Sequence, residues 1–213
     1  MDQYPRATRP IEERGQLVTD DDRAISRRFA FDYFDGDRRH GYGGYTYHPR
    51  FWQPTVRRIR DHYGLYGDAR LLDVGCAKGF MLHDFKELLP RLHVAGVDIS
   101  EYALAHAMPD VRPYLARANA RDLPFPDRSF NLVTAINTVH NLPLDECRQA
   151  LGEIERVSRG RAFIVVDAWR NDAERERLFK WVVTCRTAMH VDDWKALFAE
   201  VGYTGDYYWF IAG

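Results

Sequence analysis

A chain of 213 residues is long enough to bury one continuous core, with room for a small appended cap. Hydrophobic residues make up 46% and aromatic ones 14%, which excludes a disordered polar chain. Thirty basic against 31 acidic residues, interleaved to a net charge of −1, provide no basic block for a nucleic-acid partner. No apolar run approaches the ~20 residues of a spanning helix, and the polar start Met1–Pro10 lacks a signal-peptide core. Cys76, Cys147 and Cys185 are too scattered for a disulfide framework or a CxxC metal knuckle. The expectation is a cytoplasmic protein with no membrane or nucleic-acid partner and no metal; nothing here reads out an oligomeric state.

In chain order, residues 1–20 are polar and carry Pro5, Pro10 and Gly15, which predicts a loosely packed arm. The stretch FAFDYFDGDRRHGYGGYTYHPRFW, residues 29–52, combines turn-forming glycines with many rings. A short helix should follow, with Trp52, Val56, Ile59 and Tyr63 inward and Arg57, Arg58 and Arg60 mostly outward. From residue 70 short apolar runs alternate with helical spacing. Strands are predicted at 70–74, 93–99, 114–118, 130–136, 161–168 and 206–212, and helices at 80–89, after Ser100, and at 144–158, 172–187 and 192–201. Such alternation predicts an α/β fold: a doubly wound, mainly parallel sheet with helices on both faces. The expected division is a lid-and-helix segment at 1–66 and the α/β domain at 67–213, with a helical insertion at about 172–188.

The densest chemical signal is LLDVGCAKGF, residues 71–80. A buried strand ends at Asp73, and Gly75 and Gly79 bracket a turn into a helix, where an open parallel sheet binds its ligands. Asp98 ends the next strand, at the spacing of a carboxylate that accepts from ribose hydroxyls. Gly75-x-x-x-Gly79 is not the GxGxxG of a dinucleotide site, and Asp73 would repel a pyrophosphate; it suits the ammonium of an amino-acid end. Taken singly, the glycines also read as a structural turn and Asp98 as a helix cap.

DVGCAKG, VDIS and ANARDLPFPDRSFNLVTAINTVHNL, in that order over residues 68–170, resemble the motif series of class I S-adenosylmethionine-dependent methyltransferases. The resemblance implies S-adenosyl-L-methionine as cofactor. Asp73, Gly75, Cys76 and Gly79 would surround its methionine part, Asp98 its ribose, and Ile99 its adenine face. Asn119 and Ala120 would read the adenine edge, and Asn137 would face the methyl sulfonium. Ala77 replaces the usual middle glycine, Asn119 the commoner aspartate, and the tail from Gly202 is short for the usual last two strands.

Methyl transfer needs a positioned nucleophile and, for a hydroxyl, a proton acceptor. The segments after the fourth and fifth strands offer His140 and Asn141, then Asp167, Trp169 and Arg170. His140 is the expected base, with an ordinary pKa of ~6.5, and Asp167 its partner or an acceptor ligand; each also reads as a capping or core group. Tyr42, Tyr45 and Tyr47 are expected to shape the acceptor pocket from the lid, or else to pack a small extra core. His48 and His190 are weaker candidates. The expected activity is methylation of an oxygen or nitrogen on a polar small molecule, such as a sugar or natural-product intermediate. A protein or nucleic-acid methyltransferase, a non-catalytic cofactor-binding domain and a dinucleotide-dependent oxidoreductase stay open.

Overall fold

The computed structural model describes residues 10–213; the expectation for residues 1–9 lies outside them. Among the described residues, four helices precede the sheet: α1 (Ile11–Leu17), α2 (Asp20–Ser26), α3 (Phe31–Phe34) and α4 (Pro49–Tyr63). Then come β1 (Arg70–Val74), α5 (Phe80–Leu88), β2 (His93–Asp98), α6 (Glu101–Ala105), β3 (Leu115–Arg117), β4 (Leu132–Ile136), α7 (Leu144–Val157) and β5 (Ala162–Trp169). The chain continues through α8 (Asp172–Trp181), β6 (Met189–His190), α9 (Val191–Val201) and β7 (Asp206–Phe210).

The sheet order is β3-β2-β1-β4-β5, and every pairing is parallel; β6 and β7 share the outer edge of β5, β7 along Phe163–Asp167 and β6 beyond it. Alternation along the strands feeds two cores. Leu71, Leu132, Phe163 and Val165 pack with Val56, Ile59, Leu82, Phe85 and Leu178 from α4, α5 and α8. Leu72, Val133, Ile164 and Val166 pack with Leu151, Ile154, Trp194 and Phe198 from α7 and α9 on the other face. The doubly wound parallel sheet is thus as expected. Strand order reverses between β1 and β4, which opens the ligand crevice at the carboxyl end of β1.

Three local expectations are corrected. The loose arm is ordered from Ile11: α1 buries that side chain and lies on α8, and Thr19 starts α2 with a reciprocal capping box to Asp22. The insertion helix stops at Trp181 rather than 187, because Val182, Val183 and Thr184 are β-branched and the backbone is already extended at Val182. The two-residue β6 is too short to show a period of its own, and the five-residue β7 supplies the tail. No helix among the described residues is long and apolar enough to cross a membrane.

Candidate active site

A single cavity of about 570 Å³ runs from the β1 crevice to the lid, well within the range of small-molecule sites. At its cofactor end it is lined by Asp73, Gly75, Cys76, Asp98, Ile99, Asn119, Ala120 and Asn137, so eight of the nine residues the resemblance implies converge there. Gly79 is the ninth. It begins α5 with φ +74°, and a Cβ there would lie 2.8 Å from Val111; its role is to let the helix start close to the preceding loop. At Gly75 φ is +79°, and a Cβ would meet the Thr138 hydroxyl at 2.1 Å. Ala77 sits at φ +48°, where a glycine is at ease and an L-residue is strained.

The two carboxylates hold this loop in distinct ways. Thr134 donates from Oγ1 to Asp73 Oδ1 at 2.9 Å, and burial, with Asp98 nearby, pushes the Asp73 carboxyl up to about 7. Asp98 accepts from the Ala77 N–H and the Ser100 N–H, both at 2.8 Å, while burial raises its pKa against those donors. Ser100 does the helix capping itself, accepting from the Ala103 N–H at 3.0 Å. Asp98 is therefore both a loop tie and a cavity residue, and each of its oxygens keeps a lone pair for a ribose hydroxyl. Asp98→Ala is expected to weaken S-adenosylhomocysteine binding by roughly 1.5–3 kcal/mol and to lower the melting temperature, since two backbone donors lose their acceptor. Calorimetry and a thermal melt read the two effects; unchanged affinity with lowered stability would leave only the tie.

S-adenosylmethionine suits this end of the cavity. Two neighbouring carboxyl groups fit a cationic amino-acid end and a ribose, and Ile99 is 47% exposed, an apolar face that a flat base would cover. Asn137, in left-handed backbone at φ +55°, and Asn141 both line the cavity with buried side-chain oxygens that have no partner. An unpaired buried acceptor is costly unless a ligand meets it.

Asp167 of β5 and His140, just after β4, also line the cavity, and both are buried. His140 Nδ1 accepts from the Asp167 N–H at 3.1 Å, and Nε2 lies 3.3 Å from Asp167 Oδ2. Neutral His140 thus carries its proton on Nε2, toward the carboxylate. Burial lowers the His140 pKa, with Asp167 opposing, and raises that of Asp167, with His140 opposing. Trp194 Nε1 donates to the Asp167 carbonyl at 2.9 Å and fixes this end of β5.

The lid is only partly as expected. Tyr42 and Tyr45 line the cavity, but Tyr47 does not: it packs against Phe80 and His83 and donates to Asp84 Oδ1 at 2.5 Å, in the small extra core. Trp169 and Arg170 also lie outside the cavity, Trp169 beside Phe179 and Arg170 in a fork on Glu174. Past Asp167, β5 carries them beyond the cavity floor. His48 lines the cavity, whereas His190 caps α9 through the Asp192 N–H.

Several residues that place the lid were not anticipated. Lys78, next to Gly79, donates to Asp35 Oδ2 at 2.6 Å and to the Tyr45 carbonyl at 2.9 Å, and the Tyr102 hydroxyl donates to the same Asp35 oxygen at 2.7 Å. The cofactor loop and the lid are thereby one hydrogen-bonded unit. Tyr33, Trp181, Val183 and Thr184 complete the walls. A lysine inside the glycine loop was the one visible signal; a buried lysine needs an anion.

A methyltransferase domain model matches residues 71–161. The demethylmenaquinone methyltransferase of Symbiobacterium thermophilum is 34% identical over 160 residues, covering 70% of this chain and 58% of that protein. The enzyme of that name from Listeria welshimeri is 30% identical over 128 residues, covering 57% and 52%. The chain thus spans little more than half the length of these curated relatives. Two solved structures share the fold. Geranyl diphosphate C-methyltransferase from Streptomyces coelicolor, in complex with Mg2+, geranyl diphosphate and S-adenosyl-L-homocysteine, aligns with TM-score 0.57 at 16% identity over 71% of this chain and 60% of that one. The [4+2]-cyclase SpnF aligns with TM-score 0.57 at 20% identity over 80% and 61%. A cyclase on the same fold means that chemistry must be read from the site. Since the matched domain supplies the glycine loop, both loop carboxylates and the adenine-side residues of the cavity, the chain carries a class I S-adenosylmethionine-dependent methyltransferase domain.

Proposed function

We propose that the protein transfers the methyl group of S-adenosylmethionine to an oxygen or nitrogen of a small molecule. The observation that carries this reading is the continuity of one cavity from the cofactor loops to a buried Asp167–His140 pair beneath the lid. The cofactor supplies an electrophilic methyl group; the chain aligns the acceptor with it and keeps out water. A space roofed by Phe34, Tyr42 and Tyr45 and walled by Trp181–Thr184 suits a small molecule better than a folded polymer. Its rings and aliphatic side chains, among them Tyr33, Trp52, Met81, Val183 and Phe210, favour an acceptor with an apolar or aromatic body over a bare sugar.

The proton acceptor in this reading is Asp167 and not His140. The imidazole Nδ1 lone pair is already engaged by the Asp167 N–H, and the other nitrogen bears a proton. His140 instead orients the carboxylate, which lies on the cavity wall and can take a proton from an acceptor hydroxyl or ammonium. The carboxylate must be ionised to act, so rate should rise with pH through the apparent pKa of the pair.

Asp73 provides a test of the cofactor end. Its carboxyl, raised to about 7 without ligand, should lose its proton when the ligand's ammonium arrives. Affinity for S-adenosylhomocysteine should therefore be about tenfold weaker at pH 6 than at pH 8, with proton release measurable by calorimetry in buffers of different ionisation enthalpy. In the ligand-free chain the sign is opposite. A carboxyl raised by folding stabilises the protein below about pH 4, and that contribution is lost as pH rises through about 7. Asp73→Asn should flatten both dependences. Micromolar binding of NAD with none of S-adenosylhomocysteine would refute the reading outright.

A further inference from the structure

At the lid end of the cavity stand two guanidinium groups that form no ion pair among the described residues, Arg14 of α1 and Arg38 of the lid. Nine other arginines, such as Arg39 of the lid, Arg117 and Arg156, meet a carboxylate within ion-pair distance. Arg14 is half-buried, and its partners are carbonyls: Nε donates to Trp181 O at 2.9 Å and Nη1 to Arg38 O at 2.8 Å. Arg38 donates to the Gly41 carbonyl. Both guanidinium carbons lie near the Trp181 ring, 5.1 Å and 5.7 Å from its centre. Burial and the neighbouring Arg38 hold the Arg14 pKa down at about 10, with Arg23 adding to the effect. Arg38 is exposed, and two like charges so placed, one of them half-buried, repel each other unless an anion lies between them. The carbonyl bonds fix the guanidiniums without neutralising them, and three of Arg14's five N–H donors remain for a ligand.

We propose that Arg14 and Arg38 bind a carboxylate or phosphate group on the acceptor, placing its neutral hydroxyl or amine at Asp167. This deepens, and rests on, the methyl-transfer reading. Charge separation within the cavity sets the direction: Asp73, Asp98 and Asp167 repel an anion from the reacting end, and the arginines attract it to the lid. The body of the acceptor then lies among Tyr33, Tyr42 and Trp181. Arg14, Arg38 and Trp181 are all outside the matched domain at 71–161, so this selectivity is carried by segments added to the common fold.

The test uses the full chain saturated with S-adenosylhomocysteine and titrated with 4-hydroxybenzoate or its neutral isostere 4-hydroxybenzamide. The acid should bind about tenfold or more tighter, the size of a charge-assisted fork. The preference should shrink between low and high salt, a readout that needs no variant. Phenyl phosphate against benzoate then separates a phosphate preference from a carboxylate one. Arg14→Gln with Arg38→Gln should bring acid and amide within about twofold, and Arg14→Lys with Arg38→Lys should keep part of the difference. Equal affinities, binding of neither acid nor phosphate below about 10 mM, or a preference that survives in a folded double-Gln variant would each overturn the proposal. S-adenosylhomocysteine affinity, measured in the same samples, tells the two failures apart. Its loss would sink the methyl-transfer reading, whereas normal affinity without an acid preference would sink only the anion site.

Discussion

Asp167→Asn should lower turnover about 10²–10⁴-fold, the usual range for a lost proton acceptor, while leaving S-adenosylhomocysteine affinity unchanged. The measurement is S-adenosylhomocysteine formed with an acceptor found by a metabolite screen for methyl transfer. The amide keeps the shape of the side chain but cannot take a proton, and the backbone bonds from Asp167 N–H to His140 and from Trp194 to the Asp167 carbonyl do not depend on the carboxylate. His140→Ala is the informative companion. It removes the Nε2–H that faces the carboxylate and helps draw the Asp167 pKa down, so the rising limb of the pH–rate profile should move to higher pH. A merely structural histidine would lower stability without moving that limb. An Asp167→Asn enzyme within about threefold of wild type would reject the base role and leave an amine acceptor, or positioning alone.

Gly75→Val should abolish cofactor binding, with a loss beyond about 100-fold, and should also lower the melting temperature. The sequence alone suggests a side chain intruding on the ligand in an otherwise intact fold. The neighbour is in fact Thr138, whose Oγ1 and Cγ2 would lie 2.1 Å and 2.5 Å from the new Cβ. The turn after β1 and the loop after β4 press on each other there, so neither can yield without moving a cavity wall. The left-handed backbone at this residue adds strain of roughly 1–2 kcal/mol. Gly75→Ala with Thr138→Gly removes the clash and keeps the strain, and should recover part of the binding. Wild-type affinity in Gly75→Val would show that the loop does not approach the ligand.

The cofactor half of the site was legible because it is local. Asp73, Gly75 and Gly79 lie within seven consecutive residues, Asp98 ends the next strand and Asn119 follows the one after, so a parallel sheet brings them to one edge whatever the rest of the chain does. Strand and helix periods likewise depend on near neighbours, and the predicted elements from residue 70 to 169 match within a few residues. The acceptor half depends on contacts between distant segments. Nothing near Tyr47 in the chain says that its hydroxyl meets Asp84, 37 residues on, while Tyr42 and Tyr45 face the cavity. His140 looks like a free base until the Asp167 N–H, 27 residues away, engages its Nδ1 and the carboxylate comes to 3.3 Å from its Nε2. Arg14 and Trp181, 167 residues apart, meet only because α1 lies on α8. Local spacing determined the fold class and the cofactor loop. The direction of each lid side chain, and the proton state of each buried group, were decided by packing and desolvation, which act between segments that no sequence window contains.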